Sequence, residues 1–242
     1  MTTADERITG AVPAPEVRGE LVRDMFSRIA PTYVLTNRVM TFGIDALWRK
    51  AAIGALERGA QGRVLDLCAG TLDLTLDVLA AGATGVVAAD FAQPMLDEGE
   101  KRLPAGAPVE LVCCDAQDLP FDEDAFDAAT CGFGLRNVPD NAKALRELKR
   151  VLKPGGRIAV LELFRPTSAF SRAFHAVFDR VVLPLVGGII SGDRGAYTYL
   201  ANSMSAYLSR AEFVALAREQ GFRVVVDRWL FPVCGLVVLE TP

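Results

Sequence analysis

Histidine occurs once in the 242-residue sequence, as His175, and the five cysteines (68, 113, 114, 131 and 234) are odd in number with no C-x-x-C pair. Neither a zinc site nor a disulfide framework follows from that set, and no metal is expected. Free thiols buried as small hydrophobes are the simpler reading. An excess of one charge is also missing. Lys and Arg total 26 against 30 Asp and Glu, a formal charge of -4, so no global field draws in a phosphate backbone and nucleic acid is not an expected partner. The longest apolar run, Val181 to Ile190, follows Asp179-Arg180 and is far shorter than the roughly 20 residues a bilayer span needs. Met1 to Gly10 carries Asp5 and Glu6 without the basic flank and apolar core of a secretory signal. A cytoplasmic location is expected.

Apolar residues are plentiful, at 51% of the chain, enough for one α/β domain of about 200 to 250 residues. Short β-branched runs at Val64–Cys68, Val86–Ala89, Val109–Cys113, Phe126–Cys131, Ile158–Leu163, Val224–Val226 and Leu236–Leu239 predict seven strands. Asp73–Ala81, Pro94–Leu103 and Asn141–Leu152 have helical spacing, the last closed by Lys153-Pro154-Gly155-Gly156. Parallel neighbours need crossovers, so this alternation predicts a mainly parallel twisted sheet with helices on both faces. The near-continuous apolar strands agree. Val22–Ala55 is helical in pattern with Pro31 interrupting it, so helices are expected over 21–58 and a flexible tail over 1–20. After Pro166 the alternation breaks, and Phe170–Leu208 reads as helical apart from Pro184 and Gly187-Gly188. Ser209 and Glu212 then form a capping box that predicts a helix to Gln220. Residues 21–242 are expected as a single domain, with an inserted helical lid over 167–208.

The first strand runs into Val64-Leu65-Asp66-Leu67-Cys68-Ala69-Gly70-Thr71-Leu72-Asp73, and Asp90 ends the second strand twenty positions after Gly70. A strand, a glycine turn, a helix and a later acid describe a nucleotide site, shared between nicotinamide-dependent oxidoreductases and adenosylmethionine enzymes. The turn separates them. G-x-G-x-x-G is absent, and Asp73 stands at the helix entry with Asp66 nearby, where a diphosphate would be repelled and an ammonium and sulfonium welcomed. Asp73 alone reads equally well as an acid offsetting a helix dipole, and Asp66 as a strand-end acid bonded to loop amides. Together with Asp90 and Asp115-Ala116 they mark successive carboxyl ends of parallel strands, where such sheets bind ligands.

Several segments carry a family likeness. Tyr33, Asn37, Met40, Phe42-Gly43-Ile44 and Leu47-Trp48, the stretch Asp66 to Thr75, Leu119-Pro120-Phe121, Gly132-Phe133-Gly134-Leu135-Arg136-Asn137-Val138, Arg150 to Gly156, Tyr197-x-Tyr199-Leu200-x-x-Ser203 and Gly221-Phe222 closely resemble the quinone-biosynthesis C-methyltransferases, the demethylmenaquinone and polyprenyl-benzoquinol methyltransferases. The likeness covers nearly the whole chain beyond residue 20. General methyltransferase motifs are only moderately specific; the F-G-L-R-N segment and the Y-x-x-x-N-x-x-M-x-F-G-I segment are far more diagnostic.

The resemblance implies a Rossmann-like class I methyltransferase fold and S-adenosyl-L-methionine as cofactor, bound by Asp66, Gly70, Thr71, Asp73, Asp90, Phe91, Met95, Asp115, Ala116 and Gly132. It implies methylation of a ring carbon of a reduced prenylated quinone precursor, demethylmenaquinol foremost. The catalytic set would be Arg136, Asn137 and Tyr33, with Tyr33, Asn37, Met40, Phe133, His175 and Tyr199 contacting the acceptor. Arg136 resembles the family residue implicated in deprotonating the quinol, yet a guanidinium stays protonated at any ordinary pH, so holding a water or stabilising a developing phenolate is the chemically sensible role. His175 sits among Phe170, Phe174, Val177 and Phe178, where a packed imidazole is the simpler account and a base the tempting one. The same phenylalanines and Val181–Ile190 suit either core or a greasy lid over an isoprenoid tail, and such a substrate leaves room for peripheral association with the inner face of the membrane. A homodimer is compatible with the same reading.

Two positions depart from the family pattern. Leu72 stands where glycine or alanine is usual, and its side chain threatens to crowd the methionine end of the cofactor or to forbid positive φ. Asn202 stands where relatives often have an acid. Three rivals follow: a methyltransferase for another phenolic or secondary-metabolite acceptor, a nicotinamide oxidoreductase, and a non-catalytic quinone-binding protein that Leu72 would explain.

Overall fold

The computed structural model describes residues 15–167, 193–230 and 233–242. Helices α1 (Pro15–Met40) and α2 (Asp45–Ala55) and a 3-10 turn (Glu57–Gln61) lead into β1 (Arg63–Leu67). There follow α3 (Asp73–Ala80), β2 (Gly85–Asp90), α4 (Gln93–Glu100), β3 (Val109–Cys113), β4 (Phe126–Gly132), a 3-10 turn (Leu135–Asn137), α5 (Asn141–Val151) and β5 (Leu152–Glu162). After the segment outside the description come α6 (Arg194–Ala206), α7 (Arg210–Glu219), β6 (Arg223–Leu230) and β7 (Cys234–Glu240).

The seven strands form one sheet in the order β3-β2-β1-β4-β5-β7-β6, with β7 antiparallel to both its neighbours and the other pairings parallel. Successive strand residues point to opposite faces, and both faces are covered. Leu65, Leu67, Val87 and Ala89 pack against Leu145 and Leu148 of α5 and Phe213 and Ala217 of α7. Val64, Val86 and Ala128 pack on the other side against Trp48 and Ala52 of α2 and Val78 of α3. This is the mainly parallel, doubly covered sheet that the alternation of runs predicted.

Element ends differ from the sequence reading in instructive ways. α1 begins at Pro15, inside the stretch expected as a tail, because proline is pre-organised for a first helical turn. It also runs unbroken through Pro31, which the pattern had marked as an interruption. Pro31 is exposed and Ser27, whose carbonyl it leaves without a helical donor, is partly exposed, so water can take the place of the missing bond. The Ser209 capping box forms as expected, with the hydroxyl accepting from the Glu212 N–H and the Glu212 carboxylate accepting from the Ser209 N–H at 2.7 Å.

Strand order reverses direction between β1 and β4, so the loops leaving their carboxyl ends diverge and open a crevice. Those loops are Cys68 to Leu72 and Phe133 to Asn137.

Candidate active site

Two adjoining cavities occupy this crevice, one of about 430 Å3 and one of about 480 Å3. They share Phe26, Tyr33, Cys68, Gly70, Gly132 and Phe133. The second lies over β2 and β3 and is lined by Asp90, Phe91, Met95, Asp115, Ala116 and Asn137. The first lies under α1 and α6 and is lined by Asp66, Thr71, Asp73, Asn37, Met40, Arg136 and Tyr199. Every site residue expected from the sequence borders one cavity or both, apart from His175, which lies outside the described residues together with Val181–Ile190.

The acids are held by different means. The Asp90 carboxylate accepts from the Gly70 N–H and the Ala92 N–H, both at 2.9 Å, tying the end of β2 to the glycine turn. Gly70 adopts φ +52, and a Cβ there would meet Met95 at 3.3 Å. Asp66 is wholly buried, and its oxygens are held by the hydroxyls of Thr75 at 2.6 Å and Thr130 at 2.8 Å and by the backbone N–H of Thr75. Burial outweighs those bonds and pushes its carboxyl up to about 6. Burial likewise raises Asp90. Asp73 is not a free charge: Arg102, reaching back from beyond α4, pairs with it at 2.7 Å. The charge argument against a diphosphate therefore rests less on Asp73 than on the second cavity, whose described lining holds two carboxylates and no Lys or Arg.

Leu72 does adopt positive φ, at 67°. It lines neither cavity and is fully buried against Ala88 and Leu96. Gly99 makes the room, since a Cβ there would fall 2.4 Å from Leu72 Cγ.

On the acceptor side, Arg136 is buried at the 3-10 turn after β4. Burial is the largest influence and pulls its pKa down, but the charge and hydrogen bond of Glu162 together with the nearby Tyr33 and Tyr199 hydroxyls outweigh it, and the net shift is upward. The guanidinium is a permanent cation and no base. Its Nη1 donates to Glu162 at 2.8 Å and to the Phe133 carbonyl, while Nε is buried with no partner among the described residues. Tyr199 donates its hydroxyl to Asn137 Oδ1 at 3.0 Å, bridging α6 to the same turn. Burial raises Tyr33 above its ordinary value, partly relieved by a hydrogen bond with Asn37, so its hydroxyl stays protonated at neutral pH. Hydrogen bonding with Cys131 and burial push the Cys68 thiol well up, which removes it as a nucleophile. The arrangement can hold and stabilise an anionic oxygen in an apolar hollow beside a pocket suited to a cation.

Glu162, Thr75, Thr130 and Arg102 were missed in the sequence. Glu162 carried a usable signal, being the one acid in the apolar run Ile158–Leu163 and at a strand's carboxyl end like Asp66 and Asp90.

The second cavity fits S-adenosylmethionine by its donor set: acids for an ammonium and a ribose diol, apolar Phe91, Met95 and Ala116 for a purine, and a glycine where a side chain would intrude. Comparison with known proteins agrees. Residues 14–235 match the model of the ubiE/COQ5 methyltransferase family. The demethylmenaquinone methyltransferase of Thermus thermophilus is 45% identical over 90% of this chain and 100% of its own length. The ubiquinone/menaquinone biosynthesis C-methyltransferase UbiE of Geobacter sulfurreducens is 39% identical over 87% and 84%. Among solved structures, a SAM-dependent methyltransferase from Aquifex aeolicus superposes with TM-score 0.59 at 17% identity, covering 85% of this chain and 93% of that one. The cyclase SpnF superposes at 0.67 with 18% identity, covering 96% and 99%, a reminder that the fold alone does not fix the chemistry. The chain belongs to the ubiE/COQ5 methyltransferase family and is an S-adenosylmethionine-dependent methyltransferase with a Rossmann-like α/β fold.

Proposed function

We propose that the enzyme methylates a ring carbon of a reduced prenylated quinone precursor, demethylmenaquinol foremost. The observation that carries this reading is Arg136, a buried cation held by the protein through Nη1 and bordering an apolar cavity that adjoins the cofactor pocket. Bound in the second cavity, S-adenosylmethionine supplies the electrophilic methyl group that the ring carbon takes. The protein's task is to make that carbon a nucleophile. Arg136 donates to the quinol oxygen and stabilises the negative charge left when its proton passes to water, a contribution of roughly 2.7 to 4 kcal/mol for a donor in a dry site. Tyr33, Asn137 and Tyr199 complete the polar wall, and Met40 and Phe133 border the ring's space. Asp90 and Asp115 of the second cavity receive the cofactor's ribose and purine, and its ammonium end reaches Asp66, Thr71 and Asp73 of the first past Gly70 and Gly132, which border both.

The names of the relatives support this acceptor class. So does the surface: Leu35, Val39, Phe42 and Leu47 are exposed large apolar residues at the end of α1, the turn after it and the start of α2, and Phe42 also lines the first cavity with Thr41 and Ile44. They support a cytoplasmic enzyme that meets its lipid-borne acceptor peripherally at the membrane. Among the described residues no helix is long and apolar enough to cross one. A homodimer is the companion expectation, decided by light scattering.

The test is turnover of chemically reduced demethylmenaquinone with methyl-labelled cofactor, with the product identified by mass and by the loss of a ring proton. C-methylation is expected. Labelling of another phenol in preference, or O-methylation, would move the enzyme to a different acceptor, and cofactor binding without any turnover would favour a non-catalytic quinone binder.

A further inference from the structure

Glu162 is fully buried, yet it lines neither cavity. It ends β5, beside the turn that carries Arg136. Its Oε1 accepts from Arg136 Nη1 at 2.8 Å and from the Leu163 N–H at 2.7 Å, while Oε2 accepts from the backbone N–H of Arg136 at 3.2 Å. The Phe133 carbonyl takes a second bond from Nη1, and the Phe133 N–H donates in turn to the Leu161 carbonyl at 2.7 Å. The guanidinium is thus pinned at one nitrogen, and the whole turn is registered on β5.

A buried ion pair is a poor device for stability, because removing two charges from water costs as much as their attraction returns. An aliphatic residue at 162 would extend the apolar run Ile158–Leu163 and avoid that cost. What the pair does provide is a fixed direction. With Nη1 engaged by two acceptors and Nε buried, Nη2 is the guanidinium donor left over, on a side chain that borders the acceptor cavity. Each additional hydrogen bond that locks a functional side chain narrows its rotamer freedom and so keeps its donor aimed.

We propose that Glu162 is a positioning residue for methyl transfer: it clamps the Arg136 guanidinium through Nη1 and leaves Nη2 for the acceptor's oxygen. Only the identity of that oxygen rests on the quinol reading above. Glu162 does not touch the acceptor, and its whole influence on rate passes through Arg136.

The experiment is a double-mutant cycle on the full chain with Glu162→Gln, Arg136→Gln and the pair, reading kcat on reduced demethylmenaquinone, S-adenosylhomocysteine affinity and Tm. Glu162→Gln is expected to keep cofactor affinity within about twofold and to lower kcat roughly tenfold to a hundredfold, the usual loss when a supporting partner is removed. In the Arg136→Gln background the same change should lower kcat by less than about twofold. Arg136→Gln alone should lower Tm, because it strands a buried carboxylate, and adding Glu162→Gln should recover part of the loss. Wild-type kcat in Glu162→Gln, multiplying losses in the pair, or a pair less stable than Arg136→Gln alone would each overturn the proposal. A wild type that ignores the quinol but methylates another phenol would overturn the acceptor reading alone, and the rate cycle would be run on that phenol.

Discussion

Replacing Asp66 by Asn should stabilise the ligand-free protein at neutral pH and damage its grip on the cofactor. Asp66 is fully buried, and burial raises its carboxyl from 3.8 to about 6. The sign follows from linkage. A carboxyl whose folded value lies above its unfolded value favours folding most below the unfolded value, about pH 4, and that benefit is lost as pH rises through about 6. By pH 7 the cost of keeping the buried charge amounts to about 3 kcal/mol. Asparagine removes the charge while still offering an acceptor to the Thr75 or Thr130 hydroxyl, at a cost of about 1 kcal/mol for imperfect pairing. The net gain of about 2 kcal/mol corresponds to a rise in Tm of roughly 4 to 8 °C for a chain of this size. Thermal unfolding of both proteins from pH 4 to pH 7.5 measures it, and the difference isolates Asp66 from carboxylates held low by partners, such as Glu147 by Arg150 and Asp127 by Lys153, which shift in the opposite sense.

The same charge has a use when the ammonium of a ligand arrives. S-adenosylhomocysteine affinity, measured by calorimetry, should fall in the wild type as pH drops from 7 to 5 and Asp66 protonates, and Asp66→Asn should be weak and nearly flat across that range. A variant no more stable than wild type at pH 7, or a stability difference independent of pH, would refute the burial argument. An unchanged pH profile of affinity would refute the assignment of Asp66 to the cofactor.

Three further outcomes are expected. Asp90→Ala should abolish measurable cofactor binding by calorimetry, since it removes an acid from the pocket and also orphans the N–H groups of Gly70 and Ala92. Tyr199→Phe should lower kcat about tenfold, equivalent to about 1.4 kcal/mol, with cofactor affinity unchanged, because it frees Asn137 from its bond to α6. Leu72→Gly should relieve left-handed strain of about 1 to 2 kcal/mol but lose more from the buried contact, where emptying a leucine site costs about 2 to 5 kcal/mol. Denaturant unfolding should therefore show a less stable protein with unaltered cofactor affinity, and tighter binding would revive the idea that Leu72 blocks the pocket.

What the sequence made legible were features that depend on near neighbours or on strand ends. The Ser209 capping box is closed within four residues, and the acids at 66, 90 and 115 could be placed once the strands were, because a parallel sheet collects its carboxyl ends on one edge. The sheet itself was legible because strands covered on both faces read as unbroken apolar runs. Partners distant in sequence were not. Nothing local says that Arg102 returns to Asp73, that Thr130 on a neighbouring strand caps Asp66, or that Arg136 answers to Glu162. Pro31 misled for another reason: its effect depends on which side of α1 meets solvent, and periodicity fixes that only after the packing is known.

Backbone strain was the least legible feature, and three of the six non-glycine residues with positive φ among the described residues lie at the site. Cys68, Leu72 and Phe133 adopt left-handed φ of 57°, 67° and 58°, and all three lie on the two loops that leave β1 and β4 at the switch point. A sequence reader looks for glycine in such positions, which singles out Leu72 as a departure but passes over Cys68 and Phe133. Non-glycine residues persist there only where surrounding bonds dictate the path. Here the Ala69 N–H donates to the Ala89 carbonyl at 3.1 Å, the Leu72 N–H to the Ala69 carbonyl at 2.9 Å, and the Phe133 N–H to the Leu161 carbonyl at 2.7 Å. Close packing adds to this, since a Cβ on Gly134 would fall 2.2 Å from Cys68 Cβ. The two loops therefore brace one another across the crevice. The cofactor turn and the Arg136 turn are held as a single unit, which is what a transfer between two bound molecules requires, because misplacing one partner relative to the other forfeits most of the advantage of binding both.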